Sequence, residues 1–186
     1  MRPVPNPARS RPGSDNLPPE SDEGIEMDEV QDLPERSREV ARALEALGAR
    51  GRVRALPAST RTAAEAARAL GCEVGAIANS LVFVADDKPL LVMTSGRHKV
   101  DVTLLAERLG KTCIRRAAPE EVRASTGQAI GGVAPVGHPV PVETVVDPAL
   151  ADYPTLWAAG GTPNTVFPTG HAELLRITGG TEIAVN

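Results

Sequence analysis

The chain has 186 residues, 41% of them apolar and four of them aromatic (Phe83, Tyr153, Trp157 and Phe167), with a formal net charge of −4. That length fits one domain with surplus chain, and the core must be built mainly from Ala, Val, Leu and Ile. The scarcity of aromatics argues against a platform that stacks successive bases, the net charge against a generally basic surface for DNA or RNA backbones, and no run approaches the roughly 18 apolar residues of a membrane span.

Residues 1–34 hold seven of the 17 prolines, and nine acids without a Lys or Arg lie between Asp15 and Glu35. Low hydrophobicity with one-signed charge cannot offset the entropy of ordering, so this stretch is expected to be a disordered, solubilising tail. Residues 1–40 carry 5 basic against 10 acidic side chains, and residues 41–186 carry 15 against 14. The acidity belongs to the tail, and the expected domain, residues 35–186, is close to neutral.

Within the domain, residues 37–47 show helical spacing through Val40, Leu44 and Leu47, ended by Gly48. Residues 52–56 alternate like a strand. Thr62 and Glu65 form a capping box ahead of an Ala-rich helix that stops at Gly71. The apolar runs 76–85 and 89–94, joined by Asp86-Asp87-Lys88, predict a hairpin. Asp101 opens a helix to Leu109, stopped by Gly110; residues 112–115 predict a short strand, and Pro119 starts a brief helix to about Ala124. Residues 127–137 form a glycine-rich loop. Residues 140–146, 155–159, 165–167 and 182–185 are further strand candidates, with a helical turn over 171–175. Many short strands, segregated helices and no regular βαβ rhythm indicate an α+β domain around a mixed sheet.

Several groups could carry chemistry. Gly127, Gly131, Gly132 and Gly137 bracket Val133, Ala134 and Pro135. Glycine permits positive φ and close backbone approach, so such a loop can aim N–H groups at a carbonyl or phosphate oxygen. It is neither a Walker loop nor a dinucleotide fingerprint, and on spacing alone a structural turn and a binding loop stand level. Gly160-Gly161-Thr162-Pro163-Asn164 reads as a tight hairpin connection. Arg97-His98-Lys99, with Arg115 and Arg116, either holds phosphates or forms a solvated surface. His98, His138 and His171 are scattered and read as loop or surface residues, and Asp147 reads as a helix cap. Ser80, Ser95 and Ser125 lack a nucleophile-elbow context. Cys72 and Cys113, in no CxxC pairing, suggest neither a disulfide framework nor a metal site, and their apolar surroundings place both in the core.

The order of segments resembles the YbaK family, free-standing relatives of the editing domain inserted in bacterial prolyl-tRNA synthetases. The resemblance covers about residues 38–186: the helix over 61–71 and Ala76-Ile-Ala-Asn-Ser-Leu-Val-Phe83, then Leu90-Leu-Val-Met-Thr-Ser-Gly96 and the helix after Asp101, then Thr126-Gly127, Gly131-Gly132-Val133-Ala134-Pro135 with Gly137, and Gly161-Thr162-Pro163. It implies an α+β fold with a mixed, partly open β-barrel flanked by helices. It also implies trans-acting hydrolysis of the ester of a mischarged tRNA, foremost proline tRNA carrying a small amino acid. The implied partners are the 3′ end of aminoacyl-tRNA and prolyl-tRNA synthetase, in the cytoplasm, with no metal or organic cofactor. In the family the substrate's own ribose hydroxyl helps to position water, while the loop Gly131, Gly132, Val133, Ala134 and Pro135 supplies backbone contacts. Asn79, Ser80, Ser95, Gly96, Arg97, Lys99, Gly161, Pro163 and Thr165 are the implied substrate-binding positions. Two of them depart from the family pattern: Asn79 stands where a lysine is usual, and Thr165 where synthetase-type editing domains often carry a histidine. Loss of the lysine motivates an alternative, a non-catalytic module that binds a tRNA end or nucleotide-like ligand for regulation or recruitment.

Overall fold

The apolar runs flanking Asp86-Asp87 form the centre of the sheet: β2 (Ile77–Ala85) and β3 (Lys88–Ser95) pair antiparallel from Ala78↔Ser95 to Ala85↔Lys88. The two connecting aspartates have φ of 46° and 64°, the left-handed pair that a tight hairpin requires. Asp86 is suited to this because its carboxylate accepts from the backbone N–H of Thr112 (3.0 Å) and Cys113 (2.9 Å), bonds that also lower its pKa. The computed structural model describes residues 32–57, 60 and 62–186. Most of the expected tail therefore lies outside the described residues. Leu33 and Pro34 correct its boundary: Leu33 is buried in the core, and the Pro34 carbonyl accepts from Arg38 N–H at the start of the first helix.

The remaining strands are β1 (Arg54–Ala55), β4 (Ile114–Arg116), β5 (Glu143–Val146), β6 (Leu156–Ala159), β7 (Thr165–Thr169) and β8 (Thr181–Glu182). The sheet is mixed, in the order β1-β7-β6-β2-β3-β5-β8, with β4 also on β2. Among the described residues β1 and β8 do not pair, so the sheet is not closed. The last strand lies earlier than the expected 182–185, and Ile183 and Val185 instead pack against the core beyond its end.

Alternation along β2 and β3 separates two apolar layers. Ala78, Val82, Leu91 and Met93 face one layer, closed by α1 (Glu35–Ala46), α4 (Pro119–Thr126), α5 (His171–Thr178) and the glycine-rich loop. Phe83, Ala85, Leu90 and Val92 face the other, closed by α3 (Val102–Leu109), while α2 (Ala63–Leu70) packs Ala66 and Ala67 on Ile77 and Trp157. The Thr62–Glu65 capping box forms as the sequence predicts, and Gly71 and Gly110 end α2 and α3 in the left-handed region. Core placement of the cysteines is corrected: Cys113 is exposed, because the β4 approach is tied to the Asp86 carboxylate at the surface, and Cys72 is half-buried. No helix among the described residues is long and apolar enough to cross a membrane.

Helix α1 inserts Val40 and Leu44, 0% and 2% exposed, into the larger layer. Leu44→Ala is expected to lower stability by about 2–5 kcal/mol, read as a lower urea midpoint with an unchanged m-value.

Candidate functional site

Two short strands share one edge of β2. Pairing with β6 covers Ile77 and Ala78, and pairing with β4 covers Phe83 to Ala85. Between them the edge of β2 is notched. The Ile77 carbonyl accepts from Gly96 on the β3 side, and the Val82 carbonyl accepts from Ala117 on the opposite side. Alternation therefore turns the backbone N–H and C=O of Ser80 into the notch.

The notch opens into a cleft of about 310 Å³. Asn79 to Val82 form its spine; Thr60, Thr62, Ala63 and Ala66 flank one side, and Ile130, Gly131, Val133, Pro163, Thr165 and Val166 flank the other. Arg116 lies at the β4 end and Trp157 at the β6 end. Among the described residues the lining holds no carboxylate, imidazole or thiol, and Arg116 is its charged side chain. Asn79 is half-buried there, with its side-chain amide free of protein partners among the described residues.

The wall opposite α2 comes from two loops in close backbone contact. A Cβ on Gly132 would lie 2.5 Å from the carbonyl carbon of Thr162 and 2.8 Å from the Pro163 nitrogen, so only glycine permits this approach. Gly131 has φ of +89° and borders the cleft beside Pro163. Gln128, 2% exposed, braces the loop from within: its Oε1 accepts from Ala134 N–H (2.6 Å), and its Nε2 donates to the Val136 carbonyl (3.2 Å). Gly132 N–H donates to the Ala129 carbonyl (3.0 Å), and Pro135 has no N–H. The amides of Gly131 and Val133 are thus the two in this five-residue stretch left without a protein acceptor among the described residues, and both residues line the cleft.

The second loop is fixed from behind by α1. The hydroxyls of Ser37, Thr162 and Thr165 form a knot, with separations of 2.9 Å (Ser37–Thr165), 3.2 Å (Ser37–Thr162) and 2.8 Å (Thr162–Thr165). Ser37 and Thr165 are fully buried or nearly so. Thr165 therefore lines the cleft with its hydroxyl committed to the knot. Val40 fills the space behind Gly161, where a Cβ would approach to 2.9 Å.

Of the positions implied by resemblance, the structure brings Asn79, Ser80, Gly131, Val133, Pro163 and Thr165 together around the cleft. Gly132, Ala134, Pro135 and Gly161 support that wall from behind. Ser95, Gly96, Arg97 and Lys99 lie outside the lining. Ser95 donates its hydroxyl to the Gly75 carbonyl (2.7 Å) and its N–H to Asp147, and Gly96 packs against the Val74 carbonyl. Arg97 is paired with Asp152 and Tyr153. Asp147, 1% exposed, caps the turn Pro148–Asp152 as expected through Ala149 N–H, and it also accepts from Thr94 and meets His98 Nδ1 at 2.8 Å. Sequence spacing carries no signal for that last contact across 49 residues. Arg116 and Trp157 enter the lining through strand pairing that their short, irregular strands do not advertise.

At the loop exit His138 donates Nε2–H to the Ala134 carbonyl (2.9 Å), and burial lowers its pKa despite that bond. A depressed folded pKa means that the unfolded chain binds the proton more tightly. The contribution is present above the ordinary value near 6.5 and is lost as pH falls through the lower folded value. Unfolding titrations from pH 7 to 5 should show this loss, and it should be smaller in His138→Gln. Gln128→Leu strands the Ala134 N–H and the Val136 carbonyl. It is expected to cost about 1–3 kcal/mol for each stranded group in urea unfolding.

The same loops lie within the span that known proteins share. The family model of the aminoacyl-tRNA editing domain matches residues 57–177. Over 89 residues the chain is 32% identical to a proline–tRNA ligase of Levilactobacillus brevis, covering 48% of this chain and 16% of the ligase. It is also 32% identical over 117 residues to the uncharacterized protein YwhH of Bacillus subtilis, covering 62% and 74%. The chain thus spans about a sixth of that ligase. Among solved structures, a proposed trans-editing enzyme for prolyl-tRNA synthetase superposes with a TM-score of 0.79 at 46% identity, covering 83% of this chain and 98% of that one. The hypothetical protein APE2540 superposes with a TM-score of 0.73 at 30% identity, covering 79% and 98%. The notched mixed sheet, the two apposed glycine loops and these likenesses lead to one assignment: the chain belongs to the aminoacyl-tRNA editing domain family.

Proposed function

We propose that the protein is a trans-acting deacylase that hydrolyses the ester linking a wrongly attached small amino acid to the 3′ end of a tRNA, with proline tRNA as the first candidate. The observation that carries this reading is the pair of open amides at Gly131 and Val133 on the wall of a cleft that contains no ionisable base among the described residues. Water adds to the ester carbonyl carbon, the bond to the ribose oxygen breaks, and the water proton passes to that oxygen. The products are a free amino acid and a tRNA ending in an intact ribose.

Chemistry of this kind can be carried by placement. Backbone N–H groups fixed before the substrate arrives stabilise charge on the ester oxygen without reorganising, and one such donor is typically worth about 2.7–4 kcal/mol of barrier. The Gly131 and Val133 amides are assigned to that oxygen or to the attacking water, and the side-chain amide of Asn79 and the backbone of Ser80 to the ribose end of the substrate. The described lining residues include no carboxylate or imidazole, which accords with the role that the family resemblance implies for the vicinal ribose hydroxyl in orienting water. Val133, Pro163 and Thr165 bound a small apolar space for the amino-acid side chain. Support for proline tRNA comes from the likeness to the proposed trans-editing enzyme and to the ligases.

Incubation with a panel of mischarged tRNAs, proline tRNAs first, is expected to release amino acid faster than buffer alone. No release above buffer at micromolar protein overturns the catalytic reading; tight tRNA binding without release would instead indicate a binding module. Gly131→Val places a branched side chain at a φ of +89°. It is expected to lower the deacylation rate about 100-fold or more, the scale of losing one oxyanion donor.

A further inference from the structure

The domain is nearly neutral, and several of its cations are already paired. Arg97 meets Asp152, Arg36 meets Glu39, Lys111 meets Glu143, and Arg115 forms a two-bond fork with Glu121. That fork and the Ala118 N–H hold the Glu121 carboxyl at about 2, so this pair stays closed across the working pH range. Arg54 and Arg116 differ. The Arg54 guanidinium lies 4.1 Å from the Trp157 ring centroid and that of Arg116 5.5 Å from the Phe83 ring. Among the described residues neither side chain forms an ion pair. A guanidinium stacked on a ring keeps its N–H donors directed outward in its own plane, available to a phosphate.

Their placement follows from the notch. Trp157, beneath Arg54, pairs with Ile77 at one end; Arg116 pairs with Phe83 at the other. Six residues of extended strand separate these positions, about 20 Å. One phosphate cannot serve both cations, whereas successive phosphates of a single-stranded nucleic-acid end lying along the cleft can.

We propose that Arg116, in the lining at the β4 end, and Arg54, outside the lining but stacked on its Trp157 at the β6 end, form a two-point grip on the phosphates of a single-stranded RNA end, in place of the basic run at Arg97 and Lys99. The choice of RNA rests on the editing reading of the cleft; the geometry of the grip does not. The grip also supplies the positive charge that Asn79 lacks.

The test is fluorescence anisotropy with a labelled RNA hairpin ending in single-stranded CCA, titrated with the full chain at several salt concentrations. Arg54→Gln and Arg116→Gln are each expected to raise Kd several-fold and to reduce the slope of log affinity against log salt by about 0.7, the value for one single-strand phosphate contact. Arg116→Lys should retain the slope, because the charge remains, and Lys88→Gln, at the start of β3 outside the cleft lining, should match the unaltered protein. Unchanged slopes in both glutamine variants, or a loss confined to Arg97→Gln and Lys99→Gln, overturn the grip. Hydrolysis of mischarged tRNA by the unaltered protein is measured alongside. Binding with the expected slopes but no hydrolysis keeps the grip and removes the deacylase; hydrolysis with unchanged slopes does the reverse.

Discussion

The cleft exists because two stretches of backbone approach more closely than a methyl group would allow. Gly132 lies against the Thr162–Pro163 peptide with no space for a Cβ. With that approach in place, Gly131 and Val133 border the cleft, Gln128 saturates the polar groups behind them, and Pro163 forms part of the same wall. The hydroxyl knot of Ser37, Thr162 and Thr165 fixes the second loop from the opposite side, so neither loop has to be ordered by substrate. Fixed geometry of this kind suits a site whose described lining offers no acid or base to move protons.

The other wall depends on an interrupted ladder. A β2 strand paired continuously along both edges would have no open backbone groups and no gap. By ending β6 partners at Ala78 and beginning β4 partners at Phe83, the fold leaves a short stretch of sheet edge facing a sheltered space. Exposed edges invite unwanted pairing; here α2 and the glycine-rich loop flank the opening and restrict what can reach it.

Much of this architecture was legible in the sequence where the signal is local. The Thr62–Glu65 box, the stops at Gly71 and Gly110, the Asp86-Asp87 turn and the Asp101 cap depend on neighbours within a few residues, and the structure realises each of them. The glycine loops were legible as special but not as apposed, because their contact joins residues about 30 positions apart. The pairing of Arg97 was hidden for a similar reason: its acidic partner, Asp152, is 55 residues away. Conversely, Arg116 and Trp157 occupy short strands whose pairing with a common edge of β2 no periodicity reveals. Cys113 precedes the buried Ile114 in a short strand, yet its segment is drawn to the surface by Asp86.

Helix α1 lies wholly outside the matched span of residues 57–177, yet it carries Ser37 of the hydroxyl knot and Val40 behind Gly161. The cooperative unit is therefore larger than the segment that the family model matches. Divergence in this helix can retune the shape of the cleft while every residue lining the cleft stays the same. Related proteins with identical linings can differ in cleft shape, and a fragment trimmed to residues 57–177 would lose the support behind its own pocket.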